Sequence, residues 1–171
     1  MRANYFPTRL MVENCQSLVT PLPGGAFIQK LLEAIGGAQH RVDALQYQWN
    51  FYPHKPESPM QELNNAVMGA SRRGVKVRVY LNIESYSHNL SAINNRAKAN
   101  LTNAGIAVKF SPQFPIMHSK IFLIDDDIVV LGSHNLSHRS VTVNDETSVL
   151  IKSREVCMEF RRYFELLWTR N

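Results

Sequence analysis

Between His118 and Asn135 the chain sets out, in order, residue types suited to phosphoryl transfer: His118, Lys120, Asp125, Gly132, Ser133 and Asn135, spaced H-x-K-x4-D-x6-G-S-x-N. An imidazole changes protonation near neutral pH, so His118 can act as nucleophile, base or acid. A phosphodiester reaction also needs positive charge and hydrogen-bond donors on the non-bridging oxygens. Lys120, Ser133 and Asn135 supply those groups.

These residues must be held together by the elements around them. Phe27, Ile28, Leu31, Leu32 and Ile35 are spaced for an amphipathic helix that stops at Gly36-Gly37. Arg41 to Gln48 reads as a strand. Ser58-Pro59 with Gln61 is a helix start, with a capping hydroxyl and proline in the first turn; that helix ends at Gly74. Val75 to Leu81 alternates as a strand does, Leu90 to Leu101 has helical spacing, and Ile106 to Phe110 is a short strand. Only Ser111 to Met117 separate it from the strand His118 to Ile124, too few residues for a parallel crossover, so that strand runs antiparallel to its predecessor. Strands at Ile128 to Leu131 and Glu146 to Lys152 and a helix from Ser153 to Trp168 complete an α/β fold. The expectation is one domain over residues 1–171, with its core at about 16–170, and a mixed parallel/antiparallel sheet with helices on both faces.

In such a sheet ligands bind beyond the carboxyl ends of the parallel strands. The loops there are Trp49 to Glu57, Asn82 to Asn89 and Ser111 to Met117, and a strand starting at His118 begins at that same edge. A two-residue turn at Asp126-Asp127 would set Lys120 opposite Ser133 and His118 opposite Asn135.

The motif, the element order and a downstream Glu146 resemble the phospholipase D superfamily, whose HKD motif this sequence matches at every fixed position. The chain holds one copy. It therefore resembles most the small single-motif nucleases of that superfamily, which complete their site by homodimerising. The resemblance implies a phospholipase D-like half-domain and metal-independent hydrolysis through a phosphohistidine, with no cofactor. It also implies roles. One His118 attacks phosphorus while His118 of the partner subunit protonates the leaving oxygen. Lys120, Ser133 and Asn135 hold the phosphoryl group, Glu146 orients the imidazole, and Asp125 is structural. No H-E-x-x-H helix, Cys/His cluster or carboxylate set at this edge marks a metal site.

The chain has 171 residues, 44% hydrophobic, with a net charge of +5. Its composition excludes a disordered or collagen-like chain, and the charge suits an anionic partner, nucleic acid or an acidic lipid surface. Arg9, Glu13 and Asn14 interrupt any leader-like apolar run, no stretch reaches membrane-span length, and the cytoplasm is the expected location. Cys15 and Cys157 read as unrelated thiols, and Asp125 to Asp127 as a solvated bend. His134 and His138 are expected to face solvent, and Arg72, Arg73, Lys76 and Arg78 to serve surface solubility. Trp49, Phe51 and Tyr52 suit base stacking, bilayer entry or core packing alike. Three functions compete: a nuclease, a phospholipase or cardiolipin hydrolase, and an inactive binding module. The intact motif disfavours the last, and small size, one motif and positive charge favour the first.

Overall fold

The computed structural model describes residues 15–170, so the leader argument built on Arg9, Glu13 and Asn14 lies outside the described residues. A seven-stranded sheet runs in the order β1-β7-β6-β5-β2-β3-β4. The strands are β1 Leu18–Pro23, β2 Arg41–Gln46, β3 Lys76–Leu81, β4 Ala107–Phe110, β5 Lys120–Ile124, β6 Ile128–Gly132 and β7 Thr147–Lys152. Five helices accompany them: α1 Ala26–Gly37, α2 Pro59–Arg72, α3 His88–Asn103, α4 His138–Thr142 and α5 Arg154–Trp168. Strands β2, β3 and β4 are parallel, joined through α2 and α3, whereas β5, β6, β7 and β1 each run antiparallel to the preceding neighbour. The mixed sheet expected from the sequence is present.

Alternation along the strands divides the core. Val42, Ala44, Val79, Phe122 and Val130 face one layer with Leu31 and Ile35 of α1, Leu63 and Val67 of α2, and Ala97 and Leu101 of α3. Leu45, Tyr80, Leu123 and Val129 face the other, under Cys157, Phe164 and Leu167 of α5. Helices therefore lie on both faces, three of the long ones on one. The Ser58 hydroxyl accepts from Gln61 N at 3.1 Å and starts α2. Among the described residues no helix is long and apolar enough to cross a membrane.

Two sequence expectations are corrected. The β5–β6 turn is one residue longer than expected: Ile124 pairs with Ile128, and Asp125 joins the turn at φ 47°. By the same count Lys120 aligns with Gly132 rather than Ser133, the slip that an unfavoured Asp-Asp pair allows. Arg78 is also no surface residue. Asp43, fully buried, takes Nε and Nη2 of Arg78 at 2.7 and 2.9 Å and a further bond from Arg161. Arg78 also reaches Glu165 and lies 4.7 Å from the Phe164 ring centre. This charge cluster sits inside the α5 face, where only the pairing makes burial tolerable.

Asp125 has a defined duty. Its carboxylate accepts from the backbone N–H groups of Gln39, His40 and Arg41 at 3.0, 2.7 and 3.1 Å, and its own N–H donates to Arg41 O. Burial pushes this carboxyl up, but the three N–H bonds outweigh that and hold it below the usual carboxylate range. A depressed folded value means stability that is present above the unfolded pKa of about 4 and lost as pH falls through the folded value. Asp125→Asn should therefore lower unfolding free energy by about 2–3 kcal/mol at neutral pH. In urea titrations the gap between variant and wild type should close on acidification; a gap independent of pH would refute the assignment.

Candidate active site

The C-terminal edge of β2 and β3 is where the site residues gather. β2 extends by one residue past Gln46, Tyr47 N donating to Ser119 O at 3.0 Å, which fixes the segment leading into β5. His118 is exposed there and touches Lys120: Nζ lies 3.1 Å from His118 Nδ1, 3.3 Å from Nε2, and donates to His118 O at 2.8 Å. Burial, then the Lys120 charge, lowers the His118 pKa, with Glu84 opposing them. Burial also lowers Lys120, and Glu146 opposes it. Both shifts favour the unprotonated forms, and for the exposed imidazole that is the state a nitrogen nucleophile requires.

The chain after β6 reaches the same place by another route. Gly132 has no room for a side chain, since a Cβ would meet Ser148 Oγ at 2.1 Å and Thr147 O at 2.4 Å. That close approach turns Ser133 onto the start of β7: its N–H donates to Thr147 O at 2.9 Å and its hydroxyl to Glu146 Oε2. Beyond Asn135, Leu136 N donates to Gln48 O at 3.2 Å and Asn50 N to Leu136 O at 2.8 Å, which ties the segment to the continuation of β2. Asn135 lies between these anchors, its Oδ1 buried without a partner among the described residues.

Glu146 departs from the role expected of it. It accepts from Ser133, from Ser140 Oγ at 2.9 Å and from Asn144 Nδ2 at 3.2 Å, rather than from His118. Burial raises its pKa, but these bonds outweigh that and hold it low. Within one chain it positions Ser133 and lends negative charge to Lys120.

His134 is corrected too. It is 1% exposed, stacked on Phe27 at 4.2 Å and bonded through Nδ1 to Ser148 Oγ at 2.8 Å. Its side chain packs on the α1 face, against Phe27. His138 is half-buried against Tyr52, whose hydroxyl accepts from His138 N at 3.0 Å. Trp49 is core, with Nε1 donating to Asn64 Oδ1 at 2.7 Å, and Phe51 and Tyr52 pack against the same layer. Sequence reading missed Tyr47 and Glu84, although both lie at the active edge. Tyr47 packs its ring 4.5 Å from that of His118, and its hydroxyl lies 3.4 Å from Glu84 Oε1. Among the described residues no group of three or more His, Cys, Asp or Glu is placed to hold a metal ion.

The family model described as cardiolipin synthase, PLD-like domain, matches residues 31–168. The chain belongs to this phospholipase D-like family. Its relatives include the mitochondrial cardiolipin hydrolase of Canis lupus familiaris, 26% identical over 145 residues that make up 85% of this chain and 52% of the relative. Cardiolipin synthase 1 of Staphylococcus epidermidis is 29% identical over 107 residues, 63% of this chain and 22% of that protein. The chain thus spans about half the length, or less, of these two relatives. Among solved structures, the phospholipase D family member Nuc from Salmonella typhimurium superposes with a TM-score of 0.76 at 23% identity, covering 91% of this chain and 96% of that one. NucT from Helicobacter pylori gives 0.68 at 19% identity, covering 90% and 96%. These likenesses bear on the fold, which they share over almost their whole length.

The electrostatics of the pair can be measured directly. Lys120→Met removes the positive charge against the ring, so the His118 pKa should rise, seen as a shift of its imidazole NMR titration to higher pH. An unchanged or lowered midpoint would show that the ammonium does not act on the ring.

Proposed function

We propose that this chain is a phosphodiesterase, acting as a metal-independent nuclease through a phosphohistidine on His118. The observation that carries the reading is the solvent-facing imidazole of His118 held 3.1 Å from Lys120 Nζ at the sheet edge. His118 forms a P–N bond as the P–O bond to the leaving group breaks. The departing oxygen takes its proton from a second histidine. Water then attacks phosphorus, gives a proton back to that histidine, and the P–N bond breaks. Lys120, with donors from Ser133 and Asn135, neutralises the phosphoryl oxygens, a task otherwise given to a metal.

One motif supplies one histidine, so the second comes from another copy across a two-fold axis beside His118. In that arrangement Glu146, unengaged with His118 inside one chain, has the partner's imidazole as a candidate to orient. The net charge of +5 favours nucleic acid. A second reading, hydrolysis of a lipid phosphodiester, is favoured by the names of those relatives and by the exposed Tyr86 and Phe114, 68% and 84% accessible, in the edge loops.

Cleavage of plasmid and single-stranded DNA and of RNA, run beside head-group release from cardiolipin vesicles, separates the two. The expected result is salt-sensitive nucleic-acid cleavage that survives EDTA; head-group release alone would favour the lipid reading, and loss to EDTA with rescue by magnesium would sink the mechanism. His118→Ala should abolish activity while the fold survives. Lys120→Ala should cost about 3 kcal/mol of transition-state stabilisation, read mainly in kcat. Because both histidines serve one centre, a purified heterodimer of wild-type and His118→Ala subunits should be nearly inactive. Half the wild-type rate would show that each subunit works alone, and a fully active monomer in ultracentrifugation would dispose of the dimer.

A further inference from the structure

Tyr47 and Glu84 lie beside His118 without belonging to the motif. The Tyr47 ring tilts 56° to the imidazole at 4.5 Å, and Lys120 Nζ stands 5.0 Å from the centre of the same ring. One aromatic side chain therefore touches both the nucleophile and the cation. Burial, then Glu84, raises the Tyr47 pKa, so its hydroxyl stays protonated and donates to the Glu84 carboxylate. The neutral phenol keeps an electron-rich face toward the ammonium.

Glu84 is 6% exposed, an unusual place for a carboxylate whose described side-chain partners are a hydroxyl and an amide. It is held firmly. Asn82 Nδ2 lies 3.4 Å from Oε2, Ser91 Oγ donates to Glu84 O at 2.7 Å, and Glu84 N donates back to Ser91 Oγ at 3.3 Å. Asn82 is itself fully buried, and its Oδ1 accepts from Met117 N at 3.1 Å and from Ser111 Oγ at 3.3 Å. Those two bonds hold both ends of the loop that delivers His118. The carboxylate, the tyrosine and the loop before the nucleophile thus form one connected unit.

We propose that Tyr47 and Glu84 are a positioning pair for His118: the Tyr47 ring sets the imidazole plane and seats Lys120, and Glu84 fixes the Tyr47 ring. The role rests on the reading that His118 attacks phosphorus. Two charged groups act on the imidazole, Lys120 from β5 and Glu84 from the loop after β3; the neutral Tyr47 stands against the ring from the end of β2, Tyr86 bears on Tyr47, and Glu146, from the segment before β7, bears on Lys120. Of these, Glu84 favours the imidazolium and Lys120 opposes it. Glu84 thereby keeps the nucleophile's basicity from falling too far beside the lysine.

Three full-length variants test this, each read two ways. The His118 imidazole titration by NMR needs no substrate; kcat and KM are measured on whichever of DNA, RNA or cardiolipin vesicles the wild type cleaves. Glu84→Gln keeps the shape and loses the charge, so the His118 midpoint and the acidic limb of the kcat/KM profile should both move to lower pH. Tyr47→Leu should lower kcat by about 30- to 300-fold with KM changed by less than about 3-fold, because misplacing the reacting groups costs rate more than binding. Tyr47→Phe keeps the ring and should lose only about 3- to 10-fold. Should Tyr47→Leu fail to fold by circular dichroism, Tyr47→Phe and Glu84→Gln decide the matter alone. An unmoved His118 titration in Glu84→Gln overturns the proposal, as does a loss in Tyr47→Leu that merely follows its unfolded fraction. Failure of the phosphodiesterase reading looks different: the wild type cleaves none of the three substrates, while the titrations still report whether the pair acts on the imidazole.

Discussion

The placement of His118 depends on a carboxylate at the other end of its own strand. Asp125 gathers three consecutive backbone N–H groups from the turn before β2, while its carbonyl oxygen accepts from Arg161 of α5. β5 is thereby locked in register with β2 at one end, and its other end, five to seven residues earlier in the chain, carries Lys120 and His118 at the sheet edge. A strand is stiff along its length, so a clamp at one end sets the side chains at the other. This gives the acidic position of the motif a physical reason. It serves the chemistry from over 15 Å away, at about 3.3 Å per residue, by fixing which face the histidine and lysine take.

The order of elements was legible in the sequence because each long helix and inner strand has its own period and its own stop, such as Gly36-Gly37 after α1 and Gly74 after α2. The active edge was legible for the same reason: a parallel βαβαβ run fixes where the carboxyl ends lie, and His118 begins the strand that returns from there. β1 escaped notice because Pro21 and Pro23 are poor strand residues; they are tolerated on an edge strand, which is where β1 lies. The exact turn length escaped because Asp125 adopts positive φ, which an aspartate signals only weakly. His134, expected to face solvent because it merely flanks the motif, is buried in a stack on Phe27. Arg78 misled for a different reason. An alternating Val-Lys-Val-Arg-Val strand looks half-solvated, yet its second face is covered by α5 and its charge answered by Asp43, which is 35 residues away in the chain.

Polar atoms left without partners in the interior gather near the same edge. Gln46 Oε1, His134 Nε2, Asn135 Oδ1 and His138 Nδ1 have none among the described residues, and Gln46 pairs across the ladder with Lys120 itself. Elsewhere in the interior the polar groups are well matched: Asn94 serves Trp49, Tyr47 and Asn82 at once, and Asn64 joins Trp49 to Asn50.

The charges at the edge follow one logic. Lys120 and His118 are two potential cations in contact; burial and the Lys120 charge favour the neutral imidazole, burial lowers Lys120, and an arriving anion relieves both. In the proposed reaction that anion is a phosphodiester, whose oxygens pair with the lysine's charge while the imidazole keeps a lone pair for phosphorus. Glu146 and Glu84 set the limits of this arrangement, the first keeping Lys120 from losing its proton and the second keeping the imidazole basic. Neither carboxylate makes a hydrogen bond to the group it influences; Ser133, Ser140 and Asn144 hold one, Tyr47 and Asn82 the other. Keeping the negative charges tied to neutral donors leaves the cationic side of the site open. An ion pair formed directly at Lys120 would have to be broken each time substrate binds, whereas a carboxylate held just beyond contact adjusts protonation without competing for the phosphate.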